Sequence, residues 1–452
     1  MDREKTATHY DHVRMRYLDD FQCLGDQCPD TCCSGMRIFL TSDELVQLKR
    51  KAKNHPKLIT EIDTHFQVTK TQAPQKEVFG SPNHVPVHLD VFLPNENKDC
   101  GFLDEQKLCR IHKTVGHEAL AHTCAQYPRN YLRIGPRVEA SATVACPEVA
   151  RLALGSRQAL EFTPTTTERH TIYRVTKEID PATTVEHYER QYESVRSYLI
   201  ELMNLSDYTL RQRIFLMLAF SDSIQNIYHL GTVRFDQSVL DESMSLFRTV
   251  DIQKSLLDQL DALRVPFLPQ FEIARDVFAA RRFKSHHREF NSWFDRVMYR
   301  SPAPSNAPED LFMQREHYLL PPATLLGKYG FANNNDAANV FEIFKQVSER
   351  YILHYIQTHP FTSSPTLSRY LTLTNLHLLL ARLLFSSTLE TQDIGGNMQA
   401  DEIEKKAIHS YQVLAKVIFH VTDFSLLLEH YLVEQGFLEL NRSVILLPAD
   451  AT

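Results

Sequence analysis

The sequence predicts a mainly α-helical protein in which a small cysteine-rich α+β N-terminal module, residues 1–155, is docked on a large α-helical body, residues 156–452. Three observations support this prediction. Glycine is scarce, with 13 among 452 residues, whereas good helix formers are common. All eight cysteines lie in the first third of the chain. Beyond about residue 185, apolar side chains recur with helical spacing.

The N-terminal module is predicted to contain four short elements. A helix occupies residues 42–54, with Ser42 as its N-cap. The stretch CGFLDEQKLCRIH, residues 100–112, predicts a tight hairpin, since polar residues separate two apolar arms. Residues 113–128 predict a helix that ends at a proline. Residues 130–144 predict a second hairpin around a Gly-Pro pair.

The rest of the chain is predicted to be helical. The first amphipathic face places apolar residues at Tyr188, Tyr192, Val195, Leu199 and Leu202. Further helices are predicted at about 208–231, 238–262, 269–282, 336–359, 365–386, 401–420 and 422–435. Two stretches have the composition of linkers, residues 162–170 and the proline-rich residues 299–312, and the second predicts a sub-boundary near 300–312.

Composition and charge exclude several classes of protein. The net charge is −7 and the sequence pI is near 6.3, so a general nucleic-acid binder is disfavoured. The most basic stretch, ARRFKSHHR at residues 280–288, is expected on a solvated helix face. The N-terminus has no apolar segment of a secretory signal, and no apolar run reaches the ~18 residues of a membrane span. We therefore expect a cytoplasmic protein, in which structural disulfides are rare.

The eight cysteines carry the strongest chemical signal. Their spacings are Cys23-x4-Cys28-x3-Cys32-Cys33 and then Cys100-x8-Cys109-x14-Cys124-x21-Cys146. Burial in a core explains one or two cysteines but not eight beside Gly, Pro and Asp. Disulfides conflict with the expected compartment. Thiolates are soft ligands, and four of them complete a zinc site or a [4Fe–4S] cluster. A metal centre is therefore predicted, with all eight cysteines as candidate ligands.

The spacing leaves the identity of the metal open. Zinc modules commonly use two C-x2-C pairs, and this sequence has none. Adjacent Cys32 and Cys33 are expected to point in different directions, which favours two irons of one cluster over one shared ion. His112, His117 and His122 are further candidate ligands for a mixed site, although surface or packing roles are the commoner use of such histidines. The pattern favours iron–sulfur and retains zinc as the alternative.

The cysteine segments resemble a known family. FQCLGDQCPDTCCSGMRIFL is similar to the N-terminal motif of the flagellin lysine N-methylase family (FliB). CGFLDEQKLCRIHKTVGHEALAHTCAQYPRNY and ATVACPEVARLAL continue this resemblance in order. The cysteine-cluster proteins described as zinc- or iron-chelating share a simpler form of the pattern. The specific likeness covers roughly residues 15–155, whereas the helical remainder is similar in length and character.

This resemblance implies a bacterial cytoplasmic enzyme that methylates lysine side chains of flagellin before export. It also implies S-adenosylmethionine as the methyl donor and a [4Fe–4S] cluster held by the cysteine motif, with the eight cysteines as candidate ligands. The chain departs from the family pattern at Met36, where relatives commonly have tryptophan after CC-x-G. That change affects packing near the cluster and removes no ligand.

Methyl transfer to lysine sets chemical requirements that the sequence meets in part. The amine must be neutral and aligned with the donor, and a sulfonium favours aromatic faces and carboxylates. Tyr127, Tyr131, Asp104 and Glu118 lie in the module and are candidates, each with an equally plausible structural role. The glycine-rich loop of a Rossmann methyltransferase is not visible, and Gly395-Gly396 is interpreted as an interhelical loop. No catalytic residue is assigned.

A second function class competes with the enzyme. In this alternative, zinc or iron stabilises a non-catalytic module and the helical body binds a partner. The segments FLMLAF and LHLLLARLLF are apolar enough to support a homo-oligomer, although core burial is the default interpretation.

Overall fold

The structure is a computed structural model that describes residues 11–34, 38–68, 89–91, 99–165, 174–182, 187–232, 234–263, 267–282, 285, 287–297, 335–389, 399–419 and 422–447. Its contacts divide the chain into two units. The first is Met1–Val149 with Phe162–Glu178, and the second is Ala150–Glu161 with Ile179–Thr452. All eight cysteines belong to the first unit. The division into domains at residue 155 stays a prediction.

Eight described strands form two sheets. The strands are β1 Asp11–Met15, β2 Ile38–Leu40, β3 Phe66–Val68, β4 Leu89–Val91, β5 Arg129–Ile134, β6 Arg137–Ala142, β7 Phe162–Pro164 and β8 Lys177–Ile179. The larger sheet has the order β7-β1-β6-β5-β8, and the smaller has β2-β4-β3. Strand β1 runs parallel to β6 and antiparallel to β7. Because β7 occupies the start of the predicted linker at 162–170, that part of the linker prediction is wrong.

The β5–β6 hairpin confirms the sequence prediction for residues 130–144. Its last pair joins Ile134 to Arg137, on either side of Gly135, whose φ of +53° favours glycine. The buried hydroxyl of Tyr17 donates to the Ala142 carbonyl at 3.1 Å and accepts from the Ala142 N–H at 2.7 Å. This tyrosine therefore fixes the end of β6 that leads to Cys146.

Short helices complete the first unit. They are α1 Tyr17–Asp20, α2 Ser42–Lys51, α3 Pro56–His65, α4 Arg110–Val115 and α5 His122–Gln126, and α6 Pro147–Gly155 spans the change between units. The N-cap of α2 is Thr41, one residue before the predicted Ser42. The single helix predicted at 113–128 is wrong. Gly116 has a φ of +99°, which ends α4, and a 3-10 turn at His117–Ala119 precedes α5.

The second unit consists mainly of helices, so the mainly α fold is confirmed. They are α7 His187–Arg190, α8 Tyr192–Met203, α9 Leu210–Ile224, α10 Gln237–Phe247, α11 Val250–Asp261, α12 Phe267–Arg282, α13 Arg288–Val297, α14 Asn335–Thr358, α15 Leu367–Thr388, α16 Ala400–Leu414, α17 Thr422–Glu434 and α18 Leu440–Ser443. The helix predicted at 238–262 is divided at Thr249, which is extended. Helix α13 was not predicted. A π-helical turn, Ala415–Phe419, follows α16.

The predicted apolar faces form the core of the second unit. Tyr188, Val195 and Leu202 are at most 1% exposed, so the amphipathic face of α8 is confirmed. Every residue of Leu376–Phe385 is buried, as predicted for a core helix. FLMLAF is likewise buried within α9, and self-association stays a prediction.

The prediction that the basic stretch, residues 280–288, lies on a solvated helix face is wrong at Arg281. Arg281 is 6% exposed, and its guanidinium donates to the Val417 carbonyl oxygen. Burial lowers the pKa of Arg281 to about 10. The guanidinium thus anchors α12 to the π-helical turn instead of facing solvent. The predicted linker at 299–312 and the pair Gly395-Gly396 lie outside the described residues.

Within the part of the chain that the structure describes, no single helix combines the length and apolar composition of a membrane span. The helices Ala400–Phe419 and Phe424–Glu434, bent by 91°, meet those criteria only when both are counted together.

His377 on α15 gives the second unit a predicted dependence on pH. Its Nδ1 lies 3.0 Å from the Tyr351 hydroxyl, and its ring lies against Phe419. Burial, with a smaller effect of His359, lowers the pKa of His377 well below 6.5. The unfolded chain binds a proton at His377 below about pH 6.5, whereas the folded chain does not. The free energy of unfolding should therefore fall as pH decreases below about 6.5, by up to about 1.4 kcal/mol per pH unit.

Urea denaturation at pH 7.5 and 5.5 checks this prediction when the native chain is compared with His377→Gln. The variant keeps a hydrogen-bonding side chain but cannot titrate, so it should lose less stability on acidification. An equal loss in both proteins would show that His377 does not control this dependence.

Candidate functional site

Two cysteine-bearing segments that are far apart in the sequence meet in the first unit. The Cys100 N–H donates to the Cys33 carbonyl oxygen at 2.7 Å. The next residue on one side, Ser34, forms an antiparallel bridge with Asp99 on the other. The structure therefore brings two parts of the cysteine motif into contact: a first half from Cys23 to Cys33 and a second half from Cys100 to Cys146.

Two consecutive turns shape the first half. The Gln27 N–H donates to the Leu24 carbonyl at 3.1 Å and the Cys28 N–H to the Gly25 carbonyl at 3.2 Å, and Gly25 has a positive φ, which favours glycine. In the second turn, the Thr31 hydroxyl oxygen accepts from the Cys33 N–H, and its carbonyl accepts from the Ser34 N–H, each at 3.2 Å. These turns set Cys28, Cys32 and Cys33 on neighbouring loops.

The second half begins with the hairpin predicted at residues 100–112, which is confirmed up to Cys109, whereas residues 110–112 lie in α4. Leu103 pairs with Cys109 in an antiparallel bridge. Asp104 Oδ1 accepts two backbone N–H groups of the turn, at 2.9 Å each, and its Oδ2 accepts from Lys113 at 2.6 Å. Asp104 therefore holds the turn between Cys100 and Cys109, which is a structural role.

Glu44, which sequence reasoning missed, connects α2 to the helix that carries Cys124. Its carboxylate accepts the Thr41 N–H at 2.7 Å and the His122 N–H at 2.9 Å. Burial opposes ionisation, but hydrogen bonds from Thr41 and His122 and the charge of Arg174 hold the pKa of Glu44 below its usual value. The pattern T-x-x-E of a capping box could have identified the first of these roles.

Cys32 interacts electrostatically with thiols of both segments. Its sulfur interacts electrostatically with those of Cys28, Cys33, Cys100, Cys124 and Cys146. Cys23 interacts electrostatically with Cys28, and Cys109 interacts electrostatically with Cys100 and Cys124. We call these eight residues the cysteine cluster.

The adjacent thiols of Cys32 and Cys33 are hydrogen-bonded to each other. This hydrogen bond, followed by burial and the charge of Cys32, raises the pKa of Cys33. The expectation that the two side chains point in different directions is therefore wrong. The turn at Thr31–Ser34 places the two sulfurs side by side.

Cys146, the last of the eight cysteines, interacts electrostatically with Cys28 and Cys32. Burial raises the pKa of its thiol to about 11, against the opposing effect of N–H groups of Glu148 and Val149 at the start of α6. The phenol of Tyr127 lies within electrostatic range of Cys146 and Cys32, and burial raises its pKa well above 10. Of the four polar candidates from the sequence, Tyr127 is thus the one placed beside the cluster.

Cys124 is accessible from outside. It is exposed to solvent, yet enough protein surrounds its thiol for burial to be the main cause of its raised pKa. The charges of Cys100 and Cys109 raise that pKa further. Cys124 is therefore a member of the cluster that solvent can reach.

The remaining candidates contact other parts of the unit. Tyr131 pairs with Ala140 in the sheet, and the Glu118 carbonyl oxygen accepts from Lys51. The imidazoles of His112 and His117 stand edge to face at 6.1 Å. In the described part of the chain, the buried Nε2 of His122 has no hydrogen-bond partner, and burial lowers the pKa of this histidine.

The donor chemistry fits a thiolate-bound metal centre. None of the eight cysteines forms a disulfide. The interaction with Cys32, followed by burial, raises the pKa of Cys33, and burial followed by neighbouring thiolates raises that of Cys124. Burial also raises the pKa of Cys146. A bound cationic centre removes that penalty, because it stabilises thiolates and displaces their protons. Among the described residues, no three Cys, His, Asp or Glu side chains are arranged to hold a metal ion. The donors are therefore gathered, and the ligand set stays a prediction.

Comparisons with known proteins identify a matching family and relatives of this chain. The family model for the FliB lysine N-methylase C-terminal domain matches residues 196–446, more than half of the chain and all within the second unit. "Lysine-N-methylase" of Salmonella choleraesuis and of Salmonella typhimurium are each 31% identical over 150 residues, which is 33% of this chain and 34% of the relative. The chain thus spans about a third of the length of these two relatives.

A third relative is covered more completely. "Flagellar biosynthetic protein FliU" of Salmonella muenchen is 30% identical over 159 residues, which is 35% of this chain and 86% of that protein. No solved structure matches the chain.

Proposed function

Because the chain belongs to the FliB lysine N-methylase family, we propose that it is a protein lysine N-methyltransferase that acts on flagellin in the cytoplasm. S-adenosylmethionine is the proposed methyl donor, and a [4Fe–4S] cluster bound by the cysteine cluster is the proposed cofactor. The names of the relatives support the lysine methyltransferase activity, and the flagellar name of the third supports flagellin as the substrate.

The observation that carries the cofactor proposal is the convergence of thiols on Cys32. Residues from two distant segments supply these thiols, and both segments are fixed by backbone hydrogen bonds before any metal binds. Thiolates are the usual ligands of iron–sulfur clusters. When bound, such a cluster supplies an iron centre for electron transfer or for ligation of the donor. Which four cysteines bind it stays part of the proposal.

The residues of the chain have separate roles in this proposal. The thiols lose their protons on metal binding, which the N–H groups at the start of α6 favour at Cys146. Tyr127 provides a neutral aromatic wall beside Cys32, since burial keeps its phenol protonated. Because Cys124 is exposed to solvent, the methyl donor can approach the cluster at this residue.

Anaerobic, iron-replete expression followed by a methylation assay tests the proposal. We expect a brown protein with about four irons and four sulfides per chain that transfers methyl groups from S-adenosylmethionine to flagellin lysines, detected by mass spectrometry. A colourless protein with stoichiometric zinc and no methyl transfer would instead support the non-catalytic metal-binding module. Zinc together with methyl transfer would contradict the cluster and leave the methyltransferase.

A further inference from the structure

Glu44 uses its two carboxylate oxygens for two different helices of the first unit. Oε2 stays within α2, where it accepts the Thr41 N–H at 2.7 Å and the Thr41 hydroxyl at 3.0 Å. Oε1 accepts the His122 N–H of α5 at 2.9 Å, across 78 residues of sequence. A capping box needs only the first of these oxygens. The second contact therefore connects α2 to α5.

This contact falls at the N-terminal end of α5, which needs a hydrogen-bond acceptor from elsewhere. N–H groups in the first turn of a helix have no acceptor within that helix, and an N-cap side chain usually supplies one. The N-cap of α5 is Ala121, whose methyl side chain cannot accept a hydrogen bond. Glu44 Oε1 supplies the acceptor instead. The Glu44 side chain is 18% exposed, so this hydrogen bond is partly shielded from water.

The C-terminal end of α5 is fixed as well. The Gln126 amide donates to the Arg174 carbonyl at 3.2 Å and accepts the Arg174 N–H at 3.0 Å. The Arg174 guanidinium lies 3.8 Å from Glu44 Oε1. A helix of five residues is not stable by itself, so the contacts at its two ends determine where α5 lies. Cys124 is the middle residue of this helix.

Other candidate ligands are attached to the same support. Leu48 of α2 and Ala121, which directly precedes α5, both enter one apolar core. Cys100 and Cys109 pack against that core. A shift of α5 against α2 would therefore move Cys124 relative to Cys100 and Cys109.

We propose that Glu44 is a positioning residue of the metal centre, whose Oε1 holds α5 so that the Cys124 thiol binds the metal. This inference rests on the proposed cysteine-bound cofactor. It adds Cys124 as one of the ligands and α2 as the element that places this ligand. Glu44 acts through the backbone of α5 and is not itself a ligand.

Three variants of the full-length, metal-loaded protein test this role. Glu44→Ala removes the contacts of the carboxylate in both helices. The matched control, Thr41→Ala, removes the Thr41 hydroxyl from the capping box of α2 but keeps Glu44 and its contact with His122. Glu44→Gln keeps one carbonyl oxygen as an acceptor, so we expect a smaller effect than in Glu44→Ala. If Glu44→Ala does not fold, Glu44→Gln decides the comparison.

The measurement is the rate at which iodoacetamide labels each cysteine under anaerobic conditions, followed by mass spectrometry. In the native chain Cys124 should react slowly although it is exposed to solvent, because its sulfur is bound to the metal. In Glu44→Ala we expect labelling of Cys124 to become about 10–100-fold faster, the usual effect of losing a partner that orients a metal ligand. Labelling of Cys146 in Glu44→Ala, and of Cys124 in Thr41→Ala, should change less than about twofold.

The outcomes separate this inference from the proposed function. Native-like labelling of Cys124 in Glu44→Ala, or equal acceleration at Cys124 and Cys146, would overturn the positioning role. Rapid labelling of Cys124 in the native, metal-loaded chain would also overturn it, while methyl transfer by that chain would keep the proposed function. Selective release of Cys124 by Glu44→Ala, in a protein that holds metal but methylates no flagellin, would support the positioning role and contradict the methyltransferase.

Discussion

Cys32→Ser should abolish metal binding and methyl transfer together. Cys32 interacts electrostatically with five other thiols of the cysteine cluster. Its replacement removes this donor and the hydrogen-bonded partner of Cys33. Loss of a residue that contacts a metal ligand typically lowers activity about 10–100-fold. We expect Cys32→Ser to lower the methylation rate by more than this. Iron and sulfide content, measured with the methylation rate, checks this prediction.

The control for Cys32→Ser is Ser34→Ala, which alters the same turn and leaves every thiol in place. This variant should keep its iron and its rate. Circular dichroism should show the helical second unit unchanged in both proteins, which separates loss of the metal from loss of the fold. Native iron content and activity in Cys32→Ser would contradict the role assigned to this residue.

Leu380→Ala should cause a large loss of stability in the second unit. Leu380 is fully buried on α15, within a stretch of ten buried residues. Its truncation removes apolar contacts and leaves a cavity, which costs about 2–5 kcal/mol. Urea denaturation followed by helical circular dichroism measures this loss.

Leu246→Ala is the matched control for Leu380→Ala. Leu246 is 47% exposed on α10, so the same truncation should change the free energy of unfolding by no more than about 0.5 kcal/mol. If the two variants lost equal stability, burial would not determine the effect, and the assignment of α15 as the core helix would be wrong.

Helical periodicity predicted most of the second unit. Tyr188 and Leu202 were placed on one buried face, and LHLLLARLLF was interpreted as a core helix, because burial of an apolar stripe is a local property of the sequence. The misplaced elements depended on local backbone conformation that the pattern does not encode. Gly116 interrupts a predicted helix through its positive φ, and Thr249 divides another.

The contacts in the candidate site could be predicted from the sequence even less well than the helix boundaries. Glu44 meets His122 although 78 residues separate them, and Gln126 meets Arg174 across 48 residues. A carboxylate on a helix is ordinarily solvated, so no spacing in the sequence connects Glu44 to His122. Only the elements packed around it decide that its charge is partly buried.

The sequence by itself determined the donors and the family: eight thiols in a specific order, and a helical body of the FliB type. Tertiary structure alone decided that the Cys33 carbonyl accepts from the Cys100 N–H and that Cys32 interacts with Cys100, Cys124 and Cys146. The physical reason is the range of the interactions. Ligand chemistry and helical periodicity belong to residues and their near neighbours, whereas convergence, burial and electrostatic coupling arise between segments that meet only when the chain is folded.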